Sequence, residues 1–207
     1  MMYGTFQNNF PRDSWAREGD DKPYAAPSLP GLVQFFDQFG GASFRGGVYR
    51  VIHPADLSDW QDRIHLAYPE FEGRIVCFGF DWLGSVFALD IKRAEDGQAG
   101  VVMFEPGTGE ALDIPSNLQS FHDAGLIEFG EAALAISFHE KWLAAGGAMP
   151  RYDQCIGYRR PVFLSGADEV ENLEVSDIDV YWHLTGQLIL QTKGLPQGTK
   201  VRVRLDN

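Results

Sequence analysis

Four apolar runs decide the fold: Arg74-Ile-Val-Cys-Phe-Gly-Phe-Asp81, Ser85-Val-Phe-Ala-Leu-Asp-Ile91, Val101-Val-Met-Phe-Glu105 and Glu110-Ala-Leu-Asp-Ile114. β-branched and aromatic side chains fill them, as pleated surfaces favour. Turn signals stand between them: Trp82-Leu-Gly84, Glu95-Asp-Gly-Gln98 and Pro106-Gly-Thr-Gly109. Connections this short join neighbouring antiparallel strands, so the stretch reads as a meander with one buried face. Gly107-Thr-Gly109 is not a phosphate loop, because it sits in a hairpin, has no following helix and lacks the lysine of a P-loop.

Upstream of the meander, residues 1–27 are polar, carry Pro11, Pro23 and Pro27, and read as an irregular entry arm. A helix is expected over Leu29–Gln38, with Ser28 as cap, Pro30 in its first turn and Gly40-Gly41 as its stop. Its apolar residues Leu32, Phe35, Phe36 and Phe39 recur at spacings of three and four. A short strand over Gly47–Ile52 follows. His53-Pro54 then turns the chain into a helix of about a dozen residues with Leu57, Trp60 and Ile64 on one face.

Downstream, Ser116 or Asn117 caps a short helix ending near Gly125. A longer helix is expected over 128–145, stopped by Gly146-Gly147, with Leu134, Phe138 and Trp142 in a stripe. Val162–Leu164 reads as a short strand after an extended entry from Gln154. Ser176-Asp-Ile-Asp179 matches a capping box and opens a helix to about Lys193, with Ile178, Trp182, Leu188 and Ile189 inward. Residues 180–192 also favour sheet, so a strand competes there. Lys200–Leu205 alternates as an edge strand would. The fold class is α+β: an antiparallel meander sheet packed with helices, in two small, intimately packed subdomains over 1–115 and 116–207.

A chain of 207 residues with 44% apolar and 13% aromatic content buries a substantial core without staples. Cys77 and Cys155 sit in apolar, strand-like settings and read as buried free thiols of a reducing compartment. The N-terminus lacks a basic start and an apolar segment, and no run of about 20 apolar residues occurs. These features point to the cytoplasm and away from membranes. A formal net charge of -12 disfavours direct nucleic-acid binding, because phosphates must be met by positive charge. A basic protein is the partner class this charge favours.

The charge concentrates in Asp168-Glu-Val-Glu-Asn-Leu-Glu-Val-Ser-Asp-Ile-Asp179. Asp168, Glu169, Glu171, Glu174, Asp177 and Asp179 stand there without a lysine or arginine, and Val180-Tyr-Trp-His183 follows. Acids beside large amphipathic rings suit a surface that grips a basic protein, with Tyr181 and Trp182 as anchors. A solvated acidic turn that keeps the chain soluble is the plainer reading of the same residues.

Motifs for chemistry are missing. His53, His65, His122, His139 and His183 show no zinc spacing, and the residue four after His139 is Leu143. The acidic run lacks the central glycine of a calcium loop. There is no Gly-x-Ser-x-Gly elbow, and neither cysteine has an electropositive setting. No catalytic residue, metal site or cofactor is therefore expected.

Several motifs together resemble a known family. Glu140-Lys-Trp142, Gly157-Tyr-x-x-Pro-Val-Phe-Leu-x-Gly166, Glu171-Asn-Leu-Glu174, Asp177-x-x-Val-Tyr-Trp182, Gln187-Leu188 and Leu195-Pro-Gln-Gly-Thr199 resemble the C-terminal domain of immunity proteins against type VI secretion DNase effectors. Leu29–Gly40, Gly47-Val-Tyr-Arg-Val-Ile-His-Pro54 and Asp56–Trp60 resemble the companion GAD-like domain, with His53 where asparagine often precedes the proline.

The resemblance implies a cytoplasmic inhibitor of a cognate nuclease toxin, with no catalytic residues to carry over. In that reading the acidic segment docks on the toxin's DNA-binding or active-site surface. Asn172, Leu173 and Gly166 are the kind of residues that set a turn and a core contact. An enzyme or small-ligand binder with a pocket between the meander and the long helix is the alternative. A structural accessory protein of the secretion cluster is a third.

Overall fold

The meander forms, and it is longer than its four core runs. In the computed structural model, which describes residues 2–17, 28–196 and 199, seven antiparallel strands follow one another in chain order across one sheet. They are β1 (Arg12–Ala16), β2 (Ala42–Phe44), β3 (Tyr49–Val51), β4 (Ile75–Asp81), β5 (Val86–Glu95), β6 (Gln98–Glu105) and β7 (Glu110–Asn117). A second, two-stranded antiparallel sheet joins β8 (Gln154–Tyr158) to β9 (Leu173–Asp177). The fold class is α+β, as expected. The helices are α1 (Gly4–Asn9), α2 (Leu32–Phe39), α3 (Leu57–Ala67), α4 (Leu118–Ser120), α5 (Leu126–Glu128), α6 (Gly130–Leu134), α7 (Ile136–Ala144) and α8 (Ile178–Thr192).

The sheet is covered on both faces, not one. Every residue of β4 is buried, as a strand with helices on either side requires. Phe80, Val86 and Phe104 sit opposite one another in register, so they share a face. Trp60 of α3 packs on Phe80 at 4.5 Å, and Phe71 packs edge-on to Phe104 at 4.9 Å. Phe87 faces the other way, against Phe121 at 5.0 Å. A bulge between Cys77 and Gly79 turns Phe78 toward that second face. Gly79 has no side chain because the Tyr49 ring lies across it.

His122 sits at the centre of the second face, fully buried among Tyr3, Phe6, Phe35, Phe78 and Phe121. Its Nδ1 lies 2.7 Å from the Leu118 carbonyl, which can only accept, so Nδ1 carries the proton. Nε2 then accepts from the Tyr49 hydroxyl at 2.8 Å. Burial pushes the His122 pKa down to about 4. The unfolded chain takes up that proton near pH 6.5, so stability is full above that pH and is lost as pH falls toward 4. The loss is about 3 kcal/mol. Denaturant titrations between pH 7.5 and 4 should show it, and His122→Gln should flatten the slope. An equal slope in the variant would remove His122 as its source.

The C-terminal part is fastened to the Trp82-Leu83-Gly84 turn between β4 and β5. Ile156 N donates to the Trp82 carbonyl at 2.7 Å. The Trp82 indole donates to the Leu134 carbonyl at 2.8 Å, and the Trp182 indole donates to the Gly84 carbonyl at 2.8 Å. Arg50, fully buried on β3, reaches across from the first face. Its guanidinium donates to the carbonyls of Arg151 (2.8 Å), Asp81 (2.6 Å) and Gln154, and stacks over Phe80 at 4.3 Å.

Several expectations are corrected. The entry arm is not irregular: it contains α1 and β1, and buries Tyr3, Phe6 and Phe10. Asp123 accepts from Tyr3 N and Phe6 N and holds α1 in place. α2 starts at Leu32, after Gly31 at φ 76°, so Ser28 and Pro30 lie outside it. The long helix breaks in two at Ala135, whose φ is 46°. Val162–Leu164 is a 3-10 turn, because the N–H groups of Leu164 and Ser165 bond back to Pro161 and Val162. α8 is a helix, but Asp177 caps it in place of Ser176, which is taken up in β9 opposite Cys155. Cys77 and Cys155 are buried and unbonded. The expected strand at Lys200–Leu205 lies outside the described residues.

Candidate functional site

The acidic run folds as a loop, a strand and a helix start, and its six carboxylates are all exposed. They do different things. Asp177 Oδ1 accepts from Asp179 N (2.9 Å) and Val180 N (3.1 Å) and caps α8. Asp179 pairs with Arg63 of α3, and Glu174 faces Arg159 at 3.4 Å. Asp168 accepts from the Tyr158 hydroxyl at 2.6 Å. Glu169 and Glu171 have no side-chain partner among the described residues.

The loop that carries Asp168, Glu169 and Glu171 is held by Asn172. Its side chain accepts from Arg160 N at 3.1 Å and donates to the carbonyls of Arg160 and Ala167, each at 2.8 Å. Gly166 closes against the Arg160 carbonyl, where a Cβ would collide with backbone. Leu173 is buried beneath. The turn-setting role expected of Asn172, Leu173 and Gly166 is thus visible in the contacts.

Tyr181 and Trp182 do not stand beside the acids on the surface. Both point inward, 6% and 0% exposed. The Tyr181 hydroxyl accepts from Tyr158 N at 3.2 Å, and its ring covers Gly157, where a Cβ would clash. The expectation that these rings meet a partner fails on burial: they brace the acidic segment from behind. Helical spacing explains it, since Ile178, Tyr181, Trp182, Thr185 and Ile189 share the buried side of α8.

Asp168, Glu169 and Glu171 line a groove of about 660 Å³ with residues that sequence reasoning missed. The β6–β7 turn contributes Glu105 and Thr108, and the break between α6 and α7 contributes Glu131, Phe138 and Lys141. Five carboxylates thus line one groove together with apolar Leu83, Phe138, Val162 and Val170, and among the lining residues Lys141 carries the one positive charge. Burial raises the Glu105 pKa, the Thr108 hydroxyl at 2.9 Å opposes the rise, and the Glu110 and Asp168 carboxylates add to it. Glu131 accepts from Ser137 N (3.0 Å) and Oγ (2.9 Å), which fixes the helix break. Such a groove attracts cationic side chains and offers apolar surface to their stems. The lining includes no histidine, cysteine or arginine. No cluster of three or more potential metal ligands occurs among the described residues.

The whole fold resembles that in the crystal structure of Atu4351 from Agrobacterium tumefaciens, with TM-score 0.57 over 90% of this chain and 89% of that one. At 13% identity the likeness concerns the fold alone. No curated protein sequence matches the chain. Residues 116–189, which include the acidic run, the groove's helix break and nearly all of α8, match the family described as T6SS immunity protein Tdi1, C-terminal. Over those residues the chain is similar to that family.

Proposed function

We propose that the protein is a stoichiometric inhibitor that binds a cognate type VI-secreted nuclease and covers its DNA-binding or active-site surface. The observation that carries this reading is the acidic groove lying within and against the immunity-family domain. A nuclease holds nucleic acid with positive surface, and a cleft of five carboxylates competes for that surface. In this reading residues 1–115 are a GAD-like domain that supports residues 116–207, and the complex forms in the cytoplasm of the producing cell. Asp168, Glu169 and Glu171 meet the toxin directly, Glu174 joins at the edge, and Asp177 and Asp179 hold α8.

Charge reversal tests the interface. Glu169→Lys, Glu171→Lys and Glu174→Lys together should weaken toxin binding by roughly ten- to a hundredfold, since exposed acids contribute on the order of 1 kcal/mol or less each. The dependence of affinity on salt should flatten as well. Unchanged affinity and unchanged salt slope would remove this loop from the interface.

A further inference from the structure

A second groove, of about 780 Å³, runs between α3 and the first half of α8, and it shares no lining residue with the acidic groove. Leu66, Val180 and Leu184 line it. Val180 and Leu184 are one helical turn apart on one face of α8, 57% and 37% exposed. Single apolar side chains in water are ordinary, but here a pair shares a cleft with Leu66. The cleft exists because the two helices close together further along α8. At Gly186 an added Cβ would lie 3.4 Å from Leu66 Cδ2 and 3.6 Å from Ala67 Cβ.

The rim is acidic. Asp59 and Asp62 are exposed on α3 and line the groove. Arg63 and Asp179 line the groove too: they pair with each other, and the Arg63 guanidinium lies over the Trp60 ring at 4.6 Å. Among the described residues no cation forms an ion pair with Asp59 or Asp62. The groove therefore joins apolar Leu66, Val180 and Leu184 to an excess of negative charge, three carboxylates (Asp59, Asp62 and Asp179) against the one guanidinium of Arg63.

We propose that this groove is a second docking surface that receives a basic amphipathic helix of the toxin. The helix sets its apolar stripe on Leu66, Val180 and Leu184 and its lysines or arginines against Asp59 and Asp62. The inference rests on the immunity reading and adds the chemistry and shape of the segment recognised. A helix fits better than an extended segment, because the walls are two helices and offer side chains at helical spacing. A strand would need an open sheet edge with free backbone groups. A second copy of this chain would bring another charge of -12 against the same rim, so charge complementarity selects a basic partner.

The test titrates this chain with the proposed cognate nuclease, sought in the neighbouring genes and inactivated in its own active site. Val180→Asp with Leu184→Asp should weaken binding about a hundredfold, because both side chains become buried in the complex. The melting temperature should stay unchanged, since both are exposed in the free protein. Asp59→Lys with Asp62→Lys should weaken binding about tenfold and reduce its salt dependence. Wild-type affinity in the Val180/Leu184 variant would overturn the proposal. So would a wild-type dimer that these substitutions abolish, which would assign the groove to a second copy. A wild-type chain that fails to bind the toxin at all would overturn the immunity reading, and this inference with it.

Discussion

Trp182→Ala is expected to lower the unfolding free energy by about 4 kcal/mol. Trp182 is fully buried, and truncating a buried tryptophan costs about 3–5 kcal/mol through lost burial and the cavity left behind. The indole also donates to the Gly84 carbonyl, which would be left without that donor. Small domains hold only about 5–15 kcal/mol in total, so this one change consumes a large share. Trp182→Phe separates the two contributions: it keeps most of the ring volume and should cost about 1–2 kcal/mol. Urea titration followed by near-ultraviolet circular dichroism reads both. A Trp182→Ala protein as stable as wild type would mean that α8 does not depend on the 82–84 turn.

Arg50→Met is expected to cost about 3–5 kcal/mol although the volumes are similar. Burial lowers the Arg50 pKa to about 10, so the guanidinium is still charged at neutral pH. It donates to three carbonyls, from Asp81, Arg151 and Gln154, and methionine would take that charged donor from each, although the Asp81 carbonyl keeps Gly84 N at 3.2 Å and the Arg151 carbonyl keeps Gln154 N at 3.1 Å. Burial also pushes the Asp81 carboxyl up to about 7, with Ser85 N donating at 2.7 Å and the Arg50 charge both opposing the rise. Without that charge the Asp81 pKa should move further upward. The segment 151–154 should exchange amide hydrogens faster in the variant, because its carbonyl anchors to the sheet are gone. Thermal melts of Arg50→Met and Arg50→Lys test the claim; melting at the wild-type temperature in the methionine variant would contradict it.

The strands were legible because their signal is local. Four apolar runs separated by glycine turns specify a hairpin chain before any tertiary contact forms, and all four formed. α3 and α8 were legible for the same reason, as apolar residues recurred at helical spacing. What was hidden depended on distant partners. α1 is six residues long, too short to carry a periodic pattern, and it is held by Asp123, over a hundred residues away. The break at Ala135 has no glycine or proline to announce it; Glu131 reaching back to Ser137 sets it.

The candidate site was half legible. The acidic run announced its charge, but not which acids the fold already uses. Asp177 as a helix cap, Asp179 on Arg63 and Asp168 under Tyr158 appear only when the chain closes. Tyr181 and Trp182 looked like surface anchors because they follow the acids directly. Their positions on α8, next to the buried Ile178 and Thr185, were the signal that places them in the core. Glu105 and Glu131 are distant in sequence from the run they join, and nothing in their local context marks them. Only the closed fold brings the β6–β7 turn and the helix break to one groove with Asp168.

Growth protection tests the central claim most directly. Cells that express the proposed cognate nuclease, to be sought in the neighbouring genes, should stop dividing, and co-expression of the wild-type chain should restore growth and yield a one-to-one complex on purification. Continued arrest despite ample folded protein, or rescue with no complex formed, would contradict inhibition by stoichiometric binding.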